Sequence, residues 1–367
     1  MNQTKRTVRI LKRILKYLLC AAALLLCAVL VYVSYVFIAY HRIGDGPLTP
    51  SGSAEKTVSP GEPLTLVSWN IGFGAYESDY GFFMDGGTES RAWSAERLDA
   101  NLKRIAAFLG EQSADFVLLQ EVDIDSDRSY HFDEREYMTG VLTAGEWQSV
   151  FAQNYDSPYL FYPFTMPHGA SKSGLMTFSR AGIASAVRVE LPVETGVTKF
   201  LDLDRCYSVS RIPMTDGAEL VLYNLHLSAY TSDGTIATEQ LKLLLADMQR
   251  EYEAGNRCVA AGDFNKDLLG DSSRFWGKAD REYTWAQPVP AELFDGLNLT
   301  LAAPLDEASP VPSCRNADSA YHEGQYVLTV DGFIVSDNVT VLTAEVLDTG
   351  FAYSDHNPVR LTFSCGE

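Results

Sequence analysis

The sequence predicts a mixed α/β domain that follows one membrane-spanning helix. Three observations lead to this prediction: an uncharged apolar run near the N-terminus, several short apolar runs typical of buried strands, and two stretches with the apolar spacing of amphipathic helices. A chain of 367 residues is long enough for one large domain plus an appendage. We divide it into a basic tail (1–16), a membrane span (17–40), a linker (41–63) and a folded domain (64–367).

The N-terminal appendage has the pattern of a membrane anchor. The first 16 residues carry six basic residues and no acidic one, and Tyr17–Tyr40 is an uncharged, apolar run of 24 residues. As a helix with a rise of about 1.5 Å per residue it would reach roughly 36 Å, enough to cross a hydrocarbon core of about 30 Å. A cleaved signal peptide is the alternative, but its apolar stretch is usually only about 7–15 residues long. The basic flank predicts a single-pass protein of the cell membrane, with a cytoplasmic N-terminus and an extracellular folded domain.

The chain beyond the basic tail is strongly acidic. The whole protein has 29 Lys and Arg residues, of which 23 lie after the tail. All 48 Asp and Glu residues lie there too, so this part has a formal charge of −25. Nucleic-acid binding normally relies on clustered Lys and Arg, so the charge disfavours a nucleic-acid partner, although divalent cations can screen a local site. The four cysteines outside the span are too few for a disulfide-built scaffold, and the sequence does not pair them.

The elements of the folded domain alternate between strands and helices. The segment before it, residues 41–63, is rich in Gly, Pro, Ser and Thr, which is typical of a linker. Helices are predicted over Glu96–Leu109 and Glu239–Glu253, where apolar residues recur on one face. Most of the predicted strands are bounded by a side chain that can do chemistry, so we expect these side chains to meet at one rim of the sheet. The strands are Leu64–Trp69, Phe116–Leu119, Leu220–Leu227, Cys258–Ala261, Val327–Val335 and Val359–Phe363.

The polar residues at the strand ends suit the hydrolysis of a phosphate ester. Carboxylates and an amide oxygen, without thiolates, favour a hard cation such as Mg²⁺. Two histidines can transfer protons or neutralise an oxyanion near neutral pH. An Asp two residues before an Asn puts both side chains on one face, where one can orient a water and the other can donate to the group attacked. The set comprises Asn70, Glu121, His226, Asp263, Asn265, Asp331, Asp355 and His356.

Each of these residues alone also fits an ordinary structural role. Asn70 by itself is typical of a turn, and Asp263 of a turn or a helix cap. Glu121 fits a solvated strand end, and His226, within an apolar run, fits a hydrogen-bonded core histidine. The functional prediction therefore depends on the ordered set and on no single member.

The ordered set resembles the endonuclease/exonuclease/phosphatase superfamily. This superfamily includes deoxyribonuclease I-like enzymes, abasic-site endonucleases, bacterial sphingomyelinases and inositol polyphosphate 5-phosphatases. The resemblance covers about residues 64–363 and implies a four-layer α/β/β/α sandwich of the deoxyribonuclease I type, with the site at one edge. The motifs Gly262-Asp263-Phe264-Asn265 and Ser354-Asp355-His356 are the most specific. The six motifs are Trp69-Asn70, Gln120-Glu121, Asn224-Leu225-His226, Gly262-Asp263-Phe264-Asn265, Thr329-Val330-Asp331-Gly332-Phe333 and Ser354-Asp355-His356.

The resemblance implies a metal site and a water-activating group. Glu121 would be the principal ligand of Mg²⁺, with Mn²⁺ as an alternative cation. Asn70 would lie close to the metal, and Asp355 would be a further ligand. Asp263 would orient and activate the attacking water, and Asn265 would hold a non-bridging phosphate oxygen.

The remaining roles concern the transition state and the substrate. By the same resemblance, His226 and His356 would stabilise the pentavalent transition state, and Asp331 would orient one of them, without the sequence showing which. Asn154 falls where the family often places a substrate-side amide or tyrosine. Arg128 is a candidate contact to a substrate phosphate because it follows the second motif closely.

The substrate stays open at this point, and three hypotheses are compared. The first is a phosphodiesterase or phosphatase that acts on a lipid headgroup or another small phosphoester, which suits a tethered acidic domain. The second is a surface endonuclease or exonuclease that acts on extracellular DNA or RNA, against which the acidic charge counts. The third is a non-catalytic surface binding protein on the same fold. No protein partner is predicted.

Overall fold

The computed structural model describes residues 2–142, 146–196, 199, 204–229, 235–277 and 286–366. These residues form two units, Met1–His41 and Arg42–Glu367. The first unit consists of helix α1 (Asn2–Ala39). Its stretch Lys5–Ala39 is long and apolar enough to cross a membrane, as the sequence predicts, and a signal sequence would meet the same criteria of length and composition.

The second unit contains two seven-stranded sheets and a two-stranded ribbon. Sheet A consists, in spatial order, of β1 (Gly46–Leu48), β7 (Ser185–Glu190), β8 (Cys206–Pro213), β9 (Glu219–His226), β10 (Arg257–Asp263), β14 (Asp331–Ser336) and β11 (Leu299–Ala302). Sheet B consists of β15 (Val339–Val346), β16 (Val359–Cys365), β3 (Pro63–Asn70), β4 (Phe116–Asp123), β6 (Gly169–Ser179), β5 (Gln148–Leu160) and β2 (Ser51–Gly52). The ribbon pairs β12 (Cys314–Arg315) with β13 (Val327–Leu328).

The two sheets pack face to face, and helices cover their outer faces. Between the sheets, apolar residues from both, such as Leu66 and Phe116 of sheet B and Leu222 and Val259 of sheet A, form one buried cluster. The predicted four-layer α/β/β/α sandwich is therefore confirmed. Among the described residues, the outer layers contain α2 (Ala95–Glu111), α3 (Glu134–Leu142) and α4 (Thr235–Glu253). The short helix α5 (Ser273–Trp276) contacts β13 of the ribbon.

The main outer helices form where their apolar spacing meets a sheet. In α2, Leu98 and Leu102 lie on one face and pack in the same buried cluster as Trp69 of β3. The helix begins after Ser94, whose hydroxyl accepts a hydrogen bond from the backbone N–H of Arg97 and so caps the first turn. On sheet A, the apolar face of α4 packs in the same way against β8, β9 and β10.

Strand direction brings several chain segments to one edge of the sandwich. β3 and β4 run parallel in sheet B, and β9 and β10 run parallel in sheet A, so the C-terminal ends of all four strands can share an edge. β14 and β16 are antiparallel to β10 and β3, so they reach this edge with their N-terminal ends. A hydrogen bond between Asn70 of β3 and Asp263 of β10 shows that the two sheets meet there. We call this the polar edge.

The predicted strand Val327–Val335 is wrong as a single element. It is divided into β13, which belongs to the ribbon, and β14, which belongs to sheet A. The hydroxyl of Ser313 accepts hydrogen bonds from the backbone N–H groups of Val330 and Asp331, at 3.0 Å each. Between β13 and β14, these backbone groups therefore bond to a side chain instead of to a neighbouring strand. Asp331 therefore begins a strand instead of following one, which still places it at the polar edge because β14 is antiparallel to β10.

The prediction of a linker over residues 41–63 also needs correction. From Arg42 onward the chain belongs to the second unit. β1 pairs with β7 in sheet A, β2 pairs with β5 in sheet B, and Val58 is fully buried. Short edge strands separated by turns use the same Gly, Pro, Ser and Thr as a flexible linker does, so composition alone did not distinguish them.

Candidate active site

A cavity at the polar edge collects most of the side chains that the sequence singled out. Their sequence positions are far apart, but the strand ends bring them to one place. Asp331 is the exception: it lies behind the cavity wall, within hydrogen-bonding distance of His356. The predicted residues that line the cavity are Asn70, Glu121, His226, Asp263, Asn265, Asp355 and His356.

Asn70 connects the carboxylates of the two sheets. Its side-chain Nδ2 lies 3.2 Å from Oε1 of Glu121 and 3.1 Å from Oδ2 of Asp263. Its Oδ1 accepts the backbone N–H of Gly72 at 3.0 Å, which determines that the amide nitrogen faces the carboxylates. In this arrangement Asn70 positions two acidic groups. Its predicted place close to a metal stays a prediction.

Glu121 is directed by an irregularity in β4. The pairing of β4 with β6 shifts register between Leu119 and Val122, and Glu121 has a left-handed backbone with φ of 55°. A bulge of this kind turns a side chain out of the regular alternation of the strand. The Glu121 carboxylate consequently lines the cavity instead of following the pleat.

Asp263 lines the cavity and is almost completely buried. Its Oδ1 accepts the backbone N–H of Asn265 at 2.8 Å, and its Oδ2 lies 3.5 Å from Nε2 of His226 and 3.7 Å from Nε2 of His356. Burial raises the pKa of Asp263 to about 7, and the neighbouring His356 opposes that rise. Asp263 is thus placed to exchange a proton near neutral pH.

The backbone before Asp263 requires glycine. Gly262 has φ of +151°, a region that residues with a side chain rarely adopt. A Cβ atom at this position would lie 2.0 Å from the carbonyl oxygen of Leu225 in the neighbouring strand. The absence of a side chain at Gly262 therefore lets β9 and β10 approach closely enough to bring His226 and Asp263 together.

The pKa values of the two cavity histidines shift in opposite directions. Nδ1 of His356 lies 2.7 Å from Oδ2 of Asp331, which also accepts the Ser313 hydroxyl at 2.8 Å. Burial lowers the pKa of His356, but Asp331 and neighbouring acidic groups outweigh it and raise the pKa well above its ordinary value. Burial, with Arg205 and His356 nearby, lowers the pKa of His226 well below that value. Asp331 therefore pairs with His356, which answers the question that the sequence left open.

The sequence model of the endonuclease/exonuclease/phosphatase family matches residues 67–356 of this chain. The chain belongs to this family. A search of curated protein sequences found no significant match. The matched range contains every predicted site residue that lines the cavity.

Solved structures of this family share the fold of the second unit. An endonuclease/exonuclease/phosphatase from Beutenbergia cavernae is 20% identical, with a TM-score of 0.55 and coverage of 83% of this chain and 72% of that chain. The human Nocturnin catalytic domain with bound sulfate is 18% identical, with a TM-score of 0.51 and coverage of 87% and 97%. ANGEL2, described as a 2′,3′-cyclic phosphatase in complex with adenosine-2′,3′-vanadate, is 16% identical, with a TM-score of 0.56 and coverage of 83% and 96%. At these identities the likeness concerns the fold alone.

The two candidate substrate residues of this family member line an adjoining cavity. It shares Glu121 and His226 with the first cavity. Arg128 is buried there: its guanidinium forms two hydrogen bonds with Asp123, at 2.8 and 3.0 Å, and lies 3.9 Å from Oε2 of Glu121. Asn154 is also buried, and within the described part of the chain its Nδ2 has no hydrogen-bond partner. The predicted contacts of both residues with a substrate stay predictions.

Several residues that shape the site were not among the predicted site residues. Sγ of Cys314 lies 3.5 Å from Nε2 of His356, and Arg205 lines both cavities. Below the cavity, Nε2 of Gln120 donates to Oδ1 of Asn224 at 2.8 Å and so links the two sheets. The last two belong to motifs that were recognised through their neighbours, whereas no motif marks Cys314 or Arg205. The cysteines at positions 206, 258, 314 and 365 are all buried and free.

Proposed function

We propose that this chain hydrolyses a phosphoester in a reaction that depends on a divalent cation, with Mg²⁺ as the expected ion and Mn²⁺ as a substitute. Membership of a family of nucleases and phosphatases supports hydrolysis of this bond type. The observation that carries the proposal is the meeting of three carboxylates, Glu121, Asp263 and Asp355, in one cavity beside the paired His356.

The donor atoms of the cavity fit a hard divalent cation. Glu121 and Asp355 present carboxylate oxygens, the ligands that Mg²⁺ prefers. Burial raises the pKa of Asp355; His356 and Arg315 oppose that rise, and Glu121 adds to it. Asp263, Asp331 and His356 form a second cluster whose ligand atoms lie within 4.8 Å of one another. Because the Asp331–His356 hydrogen bond already uses two of these groups, we assign the cation to the side of Glu121 and Asp355.

When bound there, the cation would neutralise charge that develops on the phosphoryl oxygens. The Asp263 carboxylate orients a water molecule and accepts its proton as the water oxygen attacks phosphorus. Leu227 O accepts one of the two amide hydrogens of Asn265, at 2.7 Å, which leaves the other for a non-bridging phosphoryl oxygen.

The protonated His356 completes the reaction. Asp331 accepts a hydrogen bond from Nδ1–H, so the ring presents Nε2 to the cavity. As the ester P–O bond breaks, Nε2–H stabilises the charge on the departing oxygen and transfers its proton to it. His226, which is neutral, contributes a hydrogen bond and no charge. The products are an alcohol and a phosphate group that carries the oxygen of the water.

Turnover of bis-p-nitrophenyl phosphate tests the proposal. We expect activity with Mg²⁺, none with EDTA, and loss of activity in Asp263→Ala and His356→Ala with an unchanged circular dichroism spectrum. Asp99→Ala is the matched control, since Asp99 forms an exposed ion pair with Lys103 on α2, and it should keep wild-type activity. Normal turnover in either cavity variant would contradict the assignment.

Binding of Mn²⁺ tests the cation site without relying on activity. We expect Glu121→Gln to weaken Mn²⁺ binding, measured by electron paramagnetic resonance, by at least tenfold. The same change at Glu253, on the helix α4, should have no effect. Equal affinity in wild type and Glu121→Gln would place the cation elsewhere.

We also infer that α1 anchors the protein in the cell membrane, with the second unit on the outside. Six basic residues before the span support a cytoplasmic N-terminus. Protease added to intact cells should then digest the second unit, and the same protein should sediment with membranes after a carbonate wash. Protection in intact cells would reverse the orientation, and a soluble product lacking residues 1–40 would indicate a cleaved signal.

A further inference from the structure

We propose that the polar edge of the second unit lies against the membrane surface and that the cavity takes the phosphoester of a lipid headgroup. The inference rests on the proposed function and adds the class of substrate. Two independent features carry it: the point at which the chain enters the second unit, and an uncharged aromatic loop beside the cavity.

The first feature is that the chain enters the second unit at the polar edge. Arg42 donates to the carbonyl of Leu191 at 2.7 Å, and the backbone N–H of Ile43 donates to Asp204 at 2.9 Å. Leu191 follows β7 and Asp204 precedes β8, and the pairing of β7, β8 and β9 aligns these ends with the C-terminal end of β9. That end carries His226. The segment after the anchor is therefore attached at the same edge as the cavity.

This attachment is short because the second unit begins at Arg42 and residues 41–63 do not form a linker. Had residues 41–63 formed a flexible spacer, the unit could have turned any face to the membrane. Instead, only Tyr40 and His41 separate the end of α1 from Arg42, where the contacts of the second unit begin. Because a trans peptide spans about 3.8 Å between Cα atoms, a membrane-spanning α1 would hold the polar edge close to the lipid surface.

The second feature is the loop between β5 and β6, residues 161–168, which we call the aromatic loop. Its side chains are unusually exposed for their type: Phe161 by 50%, Tyr162 by 61%, Phe164 by 84% and Met166 by 47%. The chain from 157 to 171 contains no Asp, Glu, Lys or Arg, although charged residues make up 21% of the protein. Exposed aromatic and apolar side chains in one uncharged segment are typical of contact with a membrane interface.

The aromatic loop belongs to the polar edge. β6 begins where β4 ends, since Asp123 pairs with Ser173, so the turn into β6 projects beyond the cavity. His168, the last residue of the loop, lines the adjoining cavity together with Glu121. The ring of Tyr162 also packs against Phe83 at 5.7 Å between centroids.

Contacts with the rest of the unit hold the loop backbone in place. Ser90 Oγ donates to the carbonyl of Met166 at 2.5 Å, and Arg91 Nε donates to that of Pro167 at 2.6 Å. The exposed rings are thus presented by an anchored backbone, which lowers the entropy lost when they enter lipid. A surface of this kind beside a phosphoesterase cavity fits a substrate whose phosphate lies at the level of lipid headgroups.

Membrane contact is tested with the full chain in vesicles of brominated phosphatidylcholine, which quenches nearby tryptophan. Phe164→Trp adds one indole at the tip of the loop, and its emission is measured against the five native tryptophans. Leu342→Trp is the matched control, because Leu342 is 50% exposed and lies on the edge strand β15 instead of the aromatic loop. We expect the added emission to be quenched at least twofold for Phe164→Trp and unchanged for Leu342→Trp. Equal quenching of both would overturn the proposed orientation.

The substrate class is tested with the same full chain in vesicles of phosphatidylcholine, sphingomyelin and phosphatidylglycerol, by measuring the release of water-soluble headgroups. Phe164→Ser should lower this release by about tenfold, as expected when one aromatic ring no longer enters the interface. Turnover of soluble bis-p-nitrophenyl phosphate should stay within twofold of wild type, and Phe164→Trp should retain lipid hydrolysis.

The outcomes separate the two proposals. Absence of turnover on bis-p-nitrophenyl phosphate would refute the proposed function itself. Turnover of that substrate without headgroup release, or with Mg²⁺-dependent nicking of a plasmid instead, would refute only the lipid substrate. Headgroup release that Phe164→Ser leaves unchanged would refute the role of the aromatic loop.

Discussion

The pairing of Asp331 with His356 gives the sharpest test of the site. In Asp331→Asn the group that accepts the His356 Nδ1–H at 2.7 Å becomes a neutral amide, and the charge that opposes the effect of burial on the histidine is lost. Since a hydrogen bond to a charged group contributes about 1.5–3 kcal/mol, its loss in the transition state should lower kcat about 10- to 150-fold. The overall fold should persist, because asparagine has nearly the same volume.

The assay is kcat for bis-p-nitrophenyl phosphate at saturating Mg²⁺, with Asp337→Asn as the control. Asp337 follows the opposite end of β14, where it pairs with Asn298 at the exposed surface, so its substitution should leave kcat unchanged. The double variant Asp331→Asn with His356→Ala should be no slower than His356→Ala alone, because Asp331 acts through the histidine. Losses that add in the double variant would refute the pairing as a catalytic unit.

Three further predictions concern the stability of the protein and the N-terminal boundary of the second unit. Gly262→Ala should destabilise the protein by about 2–5 kcal/mol in thermal unfolding, because it combines backbone strain with a steric clash, whereas Gly110→Ala, which meets no neighbouring atom on α2, should be neutral or stabilising. Burial lowers the pKa of His168 to about 4, so as the pH falls the imidazole is protonated in the unfolded chain before it is protonated in the folded protein. The free energy of unfolding should therefore decrease between about pH 6.5 and 4, by up to roughly 3 kcal/mol from this group. The decrease should be less steep in His168→Asn. A truncated protein that begins at Arg42 should be soluble, active and more stable than one that begins at Ser53, which loses β1 and β2; equal stability of the two would contradict the strand pairing.

The elements that could be predicted are those with a clear local pattern, either an amphipathic spacing or an apolar run next to a motif. The helix near Glu96–Leu109 and the strand near Leu64–Trp69 were found within two residues of their observed bounds. The helix has apolar residues recurring on one face, and the strand is a short apolar run.

Several strands without motifs were missed, and the reason is physical. β5 (Gln148–Leu160) is long and interrupted by register shifts, so its buried and exposed residues do not alternate regularly. β1 and β2 are too short to carry any period, and their pairing depends on partners more than 95 residues away. Long-range pairing of this kind decides the structure of edge strands, and no local sequence pattern records it.

The candidate site likewise has features that the sequence predicts and features that it does not. The order of the motifs predicts which residues meet, but not which atoms face each other. That Asn70 bridges two carboxylates through its nitrogen depends on the backbone N–H of Gly72, and that Asp331 selects His356 depends on the break before β14. Both are consequences of three-dimensional contacts.

The charge of the protein limits how a substrate can reach this site. The cavity is lined by carboxylates, and the chain beyond the tail has a formal charge of −25, so long-range electrostatics repel a phosphate instead of attracting it. A bound cation can reverse the sign of the electrostatic potential only near the cavity, because salt screens the field of the cation within about 8 Å at physiological ionic strength. Capture must therefore use another force. The proposed entry of the aromatic loop into lipid, next to a site held at the membrane by α1, would supply it through burial of apolar surface, which does not depend on charge. The acidic surface would then act against soluble polyanions without penalising a phosphoester that is already held in the membrane plane.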